Sequence, residues 1–405
     1  MKLENKCGII GKSLTLGSIL ASIFSGTLFA AEMPSREEMW GIIQKQQAQI
    51  DLLTQKVEIT GEAIDKVQSS PSSSYSSHSD SHSSTSIGGY GELHYNMGES
   101  DTIDFHRFVL LGSHEFSDRI RLSTELEIEH ALAGDGKEGE VEIEQAYLEF
   151  DLNDSLTAKA GLFLVPVGII NEIHEPNTFF GVERNPIEKN IIPTTWWEAG
   201  AGLNAKFDNG FSTDIAVHSG LMVDTDGKKA FNIRSGRQKV SNAEASDGAI
   251  TGRVKWTGAP GIEVGLTGQY QQDIAQGKLS DDVDATLIEL HTSIQRGAFG
   301  LRALYARWDL SGEAASAIGA DEQFGWYVEP SWTIESDIGE WGVFARLNQY
   351  DTSAGSGSDS KVEELDLGIN YWPHENVVLK VDYQTIDSDS DGNEDLINLG
   401  IGYHF

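Results

Sequence analysis

Residues 365–371 read LDLGINY and residues 377–384 read VVLKVDYQ, with the turn-forming Pro373-His374-Glu375-Asn376 just ahead of the second run. In the first run Leu365, Leu367, Ile369 and Tyr371 are apolar, while Asp366, Gly368 and Asn370 between them are polar or small. In the second, Val377, Leu379, Val381 and Tyr383 alternate with Val378, Lys380, Asp382 and Gln384. A strand turns successive side chains to opposite faces, so a period of two predicts one greasy face and one wet face. The same beat holds upstream, where Ile120, Leu122, Thr124, Leu126 and Ile128 alternate with Arg121, Ser123, Glu125, Glu127 and Glu129. Such runs have about ten residues, enough for a tilted strand to cross a bilayer.

Outward from these runs, further segments of the same kind begin near Ile87, Phe105, Val141, Leu156, Trp197, Phe211, Ala249, Ile262, Thr286, Phe299, Phe324, Trp341 and Ile397. Together they make roughly sixteen strands. Turn residues fill the short connections, such as Phe116-Ser117-Asp118, Leu152-Asn153-Asp154, Asp208-Asn209-Gly210 and Asp337-Ile338-Gly339. Long acidic or Gly/Ser-rich connections fall between them, at 98–103, 131–140, 165–195, 222–248, 274–283, 309–322, 351–361 and 387–395. Short turns on one side and long loops on the other predict an all-β fold, a transmembrane antiparallel β-barrel over residues 87–405. A soluble sandwich predicts no such alternation. Closure follows because lipid cannot satisfy the donors and acceptors of an open sheet edge.

The N-terminal part reads differently. Lys2, Lys6 and Lys12 precede an apolar run diluted by Gly and Ser, which predicts a secretory signal peptide over 1–31, with an uncleaved anchor helix as the alternative. Met39, Ile43, Ile50, Leu53, Val57, Ile64 and Val67, with Gln46 and Thr60 in the same seam, then recur at alternating steps of three and four. That spacing predicts a short periplasmic coiled-coil helix within 32–68, or else a lone amphipathic helix. A Ser-rich tether follows over 69–86. The single cysteine, Cys7, stands in the leader, so the mature chain offers no disulfide and no thiol nucleophile.

The formal net charge is −34, which excludes a nucleic-acid partner, because phosphate neutralisation needs clustered Lys and Arg. At the other end Ile397, Leu399, Ile401, Tyr403 and Phe405 alternate outward and stop on an aromatic ring. This resembles the C-terminal strand signal read by the barrel-insertion machinery of Gram-negative bacteria. The expected location is the outer membrane, with its lipid and lipopolysaccharide as surroundings.

Three stretches carry a wider resemblance: Ala160-Gly161-Leu162-Phe163-Leu164-Val165-Pro166-Val167-Gly168, Phe179-Phe180-Gly181-Val182-Glu183-Arg184 and Trp196-Trp197-Glu198-Ala199-Gly200. With the leader, coiled coil and barrel around them, the chain resembles the phosphate-selective porin O and P family. That resemblance implies a homotrimer whose third extracellular loop, here 165–195, folds inward to constrict a pore. The constriction residues would be Glu172, His174, Glu175, Glu183, Arg184, Glu188 and Lys189, a mixed set with an acidic excess. The expected function is a passive diffusion channel for small hydrophilic solutes or ions, general or weakly cation-favouring. An anion- or phosphate-selective pore and a non-conducting surface anchor are the alternatives.

The polar face of the strands supplies the expected pore lining. It comprises Arg121, Glu125, Glu127, Glu129, Tyr147, Glu149, Lys159, Glu198, Arg302, Arg346, Asp366, Lys380 and Asp382. Such a hydrated wall imposes a transverse field on passing solutes. Trp196, Trp197, Trp256, Trp326, Trp332, Trp341, Trp372 and Tyr403 lie near strand ends, where membrane barrels place aromatic girdles. Asp387, Asp389 and Asp391 imitate the start of a calcium loop, but the position for its bidentate Glu is Asn398 and no helices flank it. The eleven histidines are scattered and no nucleophile motif accompanies them, so neither an enzyme nor a cofactor is expected.

Overall fold

The computed structural model describes residues 84–356, 360–390 and 392–405. The expected signal peptide, the coiled coil and most of the Ser-rich tether lie outside the described residues. Sixteen strands follow one another along the chain. The first eight are β1 (Ser84–Met97), β2 (Thr102–Ser117), β3 (Ile120–Glu129), β4 (Val141–Asn153), β5 (Leu156–Leu164), β6 (Trp197–Lys206), β7 (Phe211–His218) and β8 (Ala249–Ala259). The others are β9 (Ile262–Gln271), β10 (Ala285–Arg296), β11 (Phe299–Leu310), β12 (Glu322–Ser336), β13 (Gly339–Asp351), β14 (Lys361–His374), β15 (Val377–Ser388) and β16 (Gly392–His404).

Each strand pairs antiparallel with its sequence neighbours, and β1 pairs with β16 to close the barrel. The seam runs from Tyr90 opposite His404 to Met97 opposite Ile397. It is extended by the Gly89 N–H donating to Phe405 O (2.9 Å) and the Phe405 N–H donating to Gly89 O (2.8 Å). No free strand edge remains in this sheet, which is the condition a bilayer imposes. β1 begins three residues before the expected Ile87, inside the stretch assigned to the tether. Ser84, Thr85 and Ser86 extend the ladder because their hydroxyls pair with Glu115, His114 and Ser113 across β2.

Alternation sorts the strand side chains as the period of two requires. Leu290 on β10 lies between Leu266 on β9 and Tyr305 on β11, and all three are exposed on the outer face. On β13, Arg346 and Asn348 turn inward opposite Asp366 and Glu364 of β14. The interior is not polar all round, however. Leu287 on β10 and Leu304, Ala306 and Trp308 on β11 also face inward and are buried. They pack with Val165, Ile187, Ile191, Ile192 and Trp196 of one loop and with Leu221, Val223, Phe231 and Ile233 of another. Two inserted loops, 165–196 and 219–248, thus share an apolar core with one arc of the wall.

This core corrects the expected aromatic girdle at two positions. Trp196 is fully buried and Trp197 nearly so, whereas Trp332 and Trp341 are exposed on the outer face. Trp196 belongs to the inserted loop, whose end folds back into the lumen, so strand parity does not govern it.

Candidate functional site

The inner loop, 165–196, leaves β5 and returns to β6 through a neck stapled by Asn171. Its Nδ2 donates to Val165 O (2.8 Å) and Trp196 O (3.1 Å), and its Oδ1 accepts from the Trp196 N–H (2.8 Å). Glu188, in the one-turn helix α1 (Ile187–Asn190), organises the rest. Its carboxylate accepts the N–H groups of Ile169 (2.6 Å) and Ile170 (2.8 Å), the Asn185 amide (3.0 Å) and the Tyr327 hydroxyl (3.1 Å). Gly168 makes that approach possible: its φ is +70°, and a Cβ there would press on the Glu188 carboxylate.

Wall side chains hold the loop inside the barrel by its backbone. Arg107 donates to His174 O (2.8 Å), Arg302 to Thr178 O (2.7 Å) and Asn370 to Phe179 O (3.2 Å). Arg346 donates to Phe180 O (3.3 Å), while Asp382 accepts the Val182 N–H (2.6 Å). Arg346 is itself fixed by Asp366 (3.0 Å) and Glu329 (3.3 Å), and the Lys380 ammonium sits 3.7 Å from the centre of the Phe179 ring. These inward charges hold the loop as much as they face water.

What the loop leaves open is a cleft of about 160 Å³. Its carboxylates are Glu92 on β1, Glu127 and Glu129 on β3, Glu142 and Glu144 on β4, and Glu183 of the inner loop. Its cations are Arg107 on β2, Arg184 and Lys189 of the inner loop, and Arg234, Arg237 and Lys239 of the second loop. His94 and His106 stack beside them with ring centres 4.5 Å apart.

The cations divide by what they bind. Lys239 pairs with Glu140 and Glu142, which outweigh its burial and raise its pKa. Arg184 instead donates to the Thr195 hydroxyl (2.9 Å), Arg234 to Lys189 O (2.6 Å) and Arg237 to Thr195 O (2.6 Å). Their hydrogen bonds go to neutral oxygens, so their positive charge is not cancelled locally. Burial holds all three guanidinium pKa values below the ordinary range, and repulsion from Arg237 and Arg184 helps bring Arg234 to about 10.

The residues expected at the constriction separate into three groups. Glu183, Arg184 and Lys189 line the cleft, and Glu172, His174 and Glu175 line a different one beside the loop's first half. Glu188 lines neither and is fully buried, because backbone N–H groups claim its oxygens.

Among the expected wall residues, Glu127 and Glu129 reach the cleft. Glu125 and Tyr147 line the other opening. Arg121 is held by Glu149 (3.4 Å) and Asp151 (2.5 Å), and Lys159 lies over the Phe163 ring (4.5 Å). Glu198 accepts from Trp196 Nε1 (2.9 Å) and the Ser219 hydroxyl and so joins the two inserted loops. Asp387 and Asp389 are exposed and Asp391 lies outside the described residues.

The cations of the second loop carried a sequence signal that strand periodicity does not report. Lys228, Lys229, Arg234, Arg237 and Lys239 fall within twelve residues that contain no Asp or Glu, in a chain of 63 acidic and 29 basic residues. The expected acidic excess of the inner loop is therefore met by a basic run from a separate segment.

The model of the family described as phosphate-selective porin O and P matches residues 89–399. An Aquifex aeolicus protein described as uncharacterized is 30% identical over 364 residues, covering 79% of this chain and 80% of that one. Among solved structures, an anion-selective porin from Comamonas acidovorans is similar, with a TM-score of 0.58 at 14% identity, covering 80% of this chain and 100% of that one. The trimer form of OmpT from Vibrio cholerae gives a TM-score of 0.52 at 11% identity over 80% of this chain and 100% of its own. At these identities the likeness to solved structures is one of fold.

Proposed function

The chain belongs to the phosphate-selective porin O and P family, and from that premise we propose that its outer-membrane channel passes small polar solutes through a charge-divided constriction without strong ion preference. Family and fold point to a channel and not to an enzyme. One observation carries the reading: the cleft sets a carboxylate ladder on β1, β3 and β4 against Arg184, Arg234 and Arg237, whose charges are not neutralised by ion pairs among the described residues. A field across the opening orients dipolar solutes, giving cations one track and anions another. The balance of six carboxylates and six cations favours this over the weak cation preference that the inner loop alone implies.

The working form is a homotrimer, as the trimer form of the Vibrio cholerae OmpT neighbour supports, and β16 with Phe405 carries the signal for the insertion machinery. The exposed loops face lipopolysaccharide.

Reversal potentials across a planar bilayer under a salt gradient test the constriction. The expected result is a value near zero, moving clearly towards cations in Arg237→Gln. A wild-type pore passing anions more than about tenfold better than cations, a difference of about 1.4 kcal/mol, would instead favour the phosphate-selective reading. A silent bilayer would favour a surface anchor.

A further inference from the structure

Between the two clefts, where the inner loop meets the wall, three buried side chains converge. Glu125 on β3, Glu144 on β4 and His174 on the loop are 2%, 1% and 3% exposed. His174 Nε2 lies 3.4 Å from Glu125 Oε1 and 3.4 Å from Glu144 Oε2. Charge-assisted hydrogen bonds are shorter, about 2.7–2.9 Å. Neither contact has hydrogen-bond alignment, and both His174 Nε2 and Glu144 Oε2 are without a hydrogen-bond partner. Two carboxylates and an imidazole nitrogen thus point at one another across a gap, away from bulk water. An uncompensated arrangement of that kind is costly.

We propose that Glu125, Glu144 and His174 bind one divalent cation of the zinc class, which latches the inner loop to β3 and β4. Bonds of about 2.0–2.1 Å to nitrogen and oxygen in a tetrahedron put ligand atoms about 3.3 Å apart, matching the two 3.4 Å separations. All three ligand atoms lie within 4.8 Å of one another, so a small closure completes the set.

The surroundings orient the ligands as metal sites require. His174 Nδ1 faces Asn171 O at 3.2 Å, and a proton there leaves the Nε2 lone pair free for the gap. The Tyr90 hydroxyl donates to Glu125 Oε1 (2.9 Å) and the Gln145 amide to Glu125 Oε2 (2.6 Å), which fixes that carboxylate. The nearby Arg107 is committed to Glu92 (2.6 Å) and His174 O (2.8 Å) and does not fill the gap. Two carboxylates and a neutral imidazole match a charge of +2, and a bound water molecule would supply the fourth ligand. Without the metal, a proton on Nε2 is the alternative compensation.

The full-length protein, folded in detergent micelles and stripped with a chelator, is titrated with zinc chloride by calorimetry, and its metal content is measured after desalting. The expected result is one zinc per chain, bound at least tenfold more weakly in Glu144→Gln and in His174→Gln and unchanged in His130→Gln. Cobalt(II) added to the stripped wild-type protein gives an independent readout, the intense visible absorption of a tetrahedral site, which holds even where a variant disturbs the loop. Wild-type protein that takes up no stoichiometric zinc, or uptake unaffected by both substitutions, would overturn the site and leave a protonated His174 bridging the two glutamates.

Discussion

At the scale of single residues, the interior separates charges that hold the structure from charges that face the opening. Glu188 has the acidic identity expected at a constriction, yet its oxygens accept four donors, two of them backbone N–H groups. Glu188→Ala leaves those donors unpaired in a dry setting and is expected to cost about 2–4 kcal/mol. A lower urea midpoint in micelles and faster proteolysis within 165–196 are the readouts. His130, in the loop after β3, shows how a pH dependence enters. A hydrogen bond to Asp104 (2.7 Å) raises its imidazole pKa above 6.5, outweighing desolvation. A raised folded-state value means that this contact stabilises fully below the unfolded pKa and is lost as pH rises through the folded one. The ring resonances of His130 should therefore titrate above 6.5, and Asp104→Asn should lower the midpoint.

At the scale of elements, the strands were legible from their period; the inward fold of 165–195 was implied only by the family resemblance, and the insertion of 219–248 had no signal in that period. Each of the sixteen expected segments coincides with a strand, because a wall with lipid on one side imposes period two wherever the chain crosses. The loops 165–196 and 219–248 obey no period, since their side chains answer to packing against whichever wall they meet. Trp308 shows the consequence. It turns inward from β11, where a hydrated lining was expected, and buries its ring against Trp196 while its indole N–H donates to Ile191 O (2.9 Å). Trp308→Ala should cost about 3–5 kcal/mol by opening a cavity in that core. The barrel around it is held by its own ladder, so the expected signature is increased current noise and earlier loop cleavage with the heat-modified gel shift of the folded barrel retained.

At the scale of the whole molecule, stability depends on which solvent each face meets. Leu290 lies mid-strand on the outer face between Leu266 and Tyr305. Leu290→Arg is expected to destabilise the barrel by about 2–4 kcal/mol in a bilayer. Unfolding in liposomes would read this, and an outward arginine without cost would place β10 outside the lipid.

The sequence by itself determined the closed sixteen-strand plan, the inward and outward faces of the strands and the alternation of turns and loops. All of these are local consequences of a two-residue repeat between lipid and water. The tertiary structure alone decided which charges meet in the lumen. Arg234 and Arg237 come from a loop about fifty residues beyond Arg184, and His174 reaches Glu125 and Glu144 only because the loop bearing it folds back through the barrel. Those meetings depend on long-range packing of apolar side chains, and no periodicity along the chain encodes it.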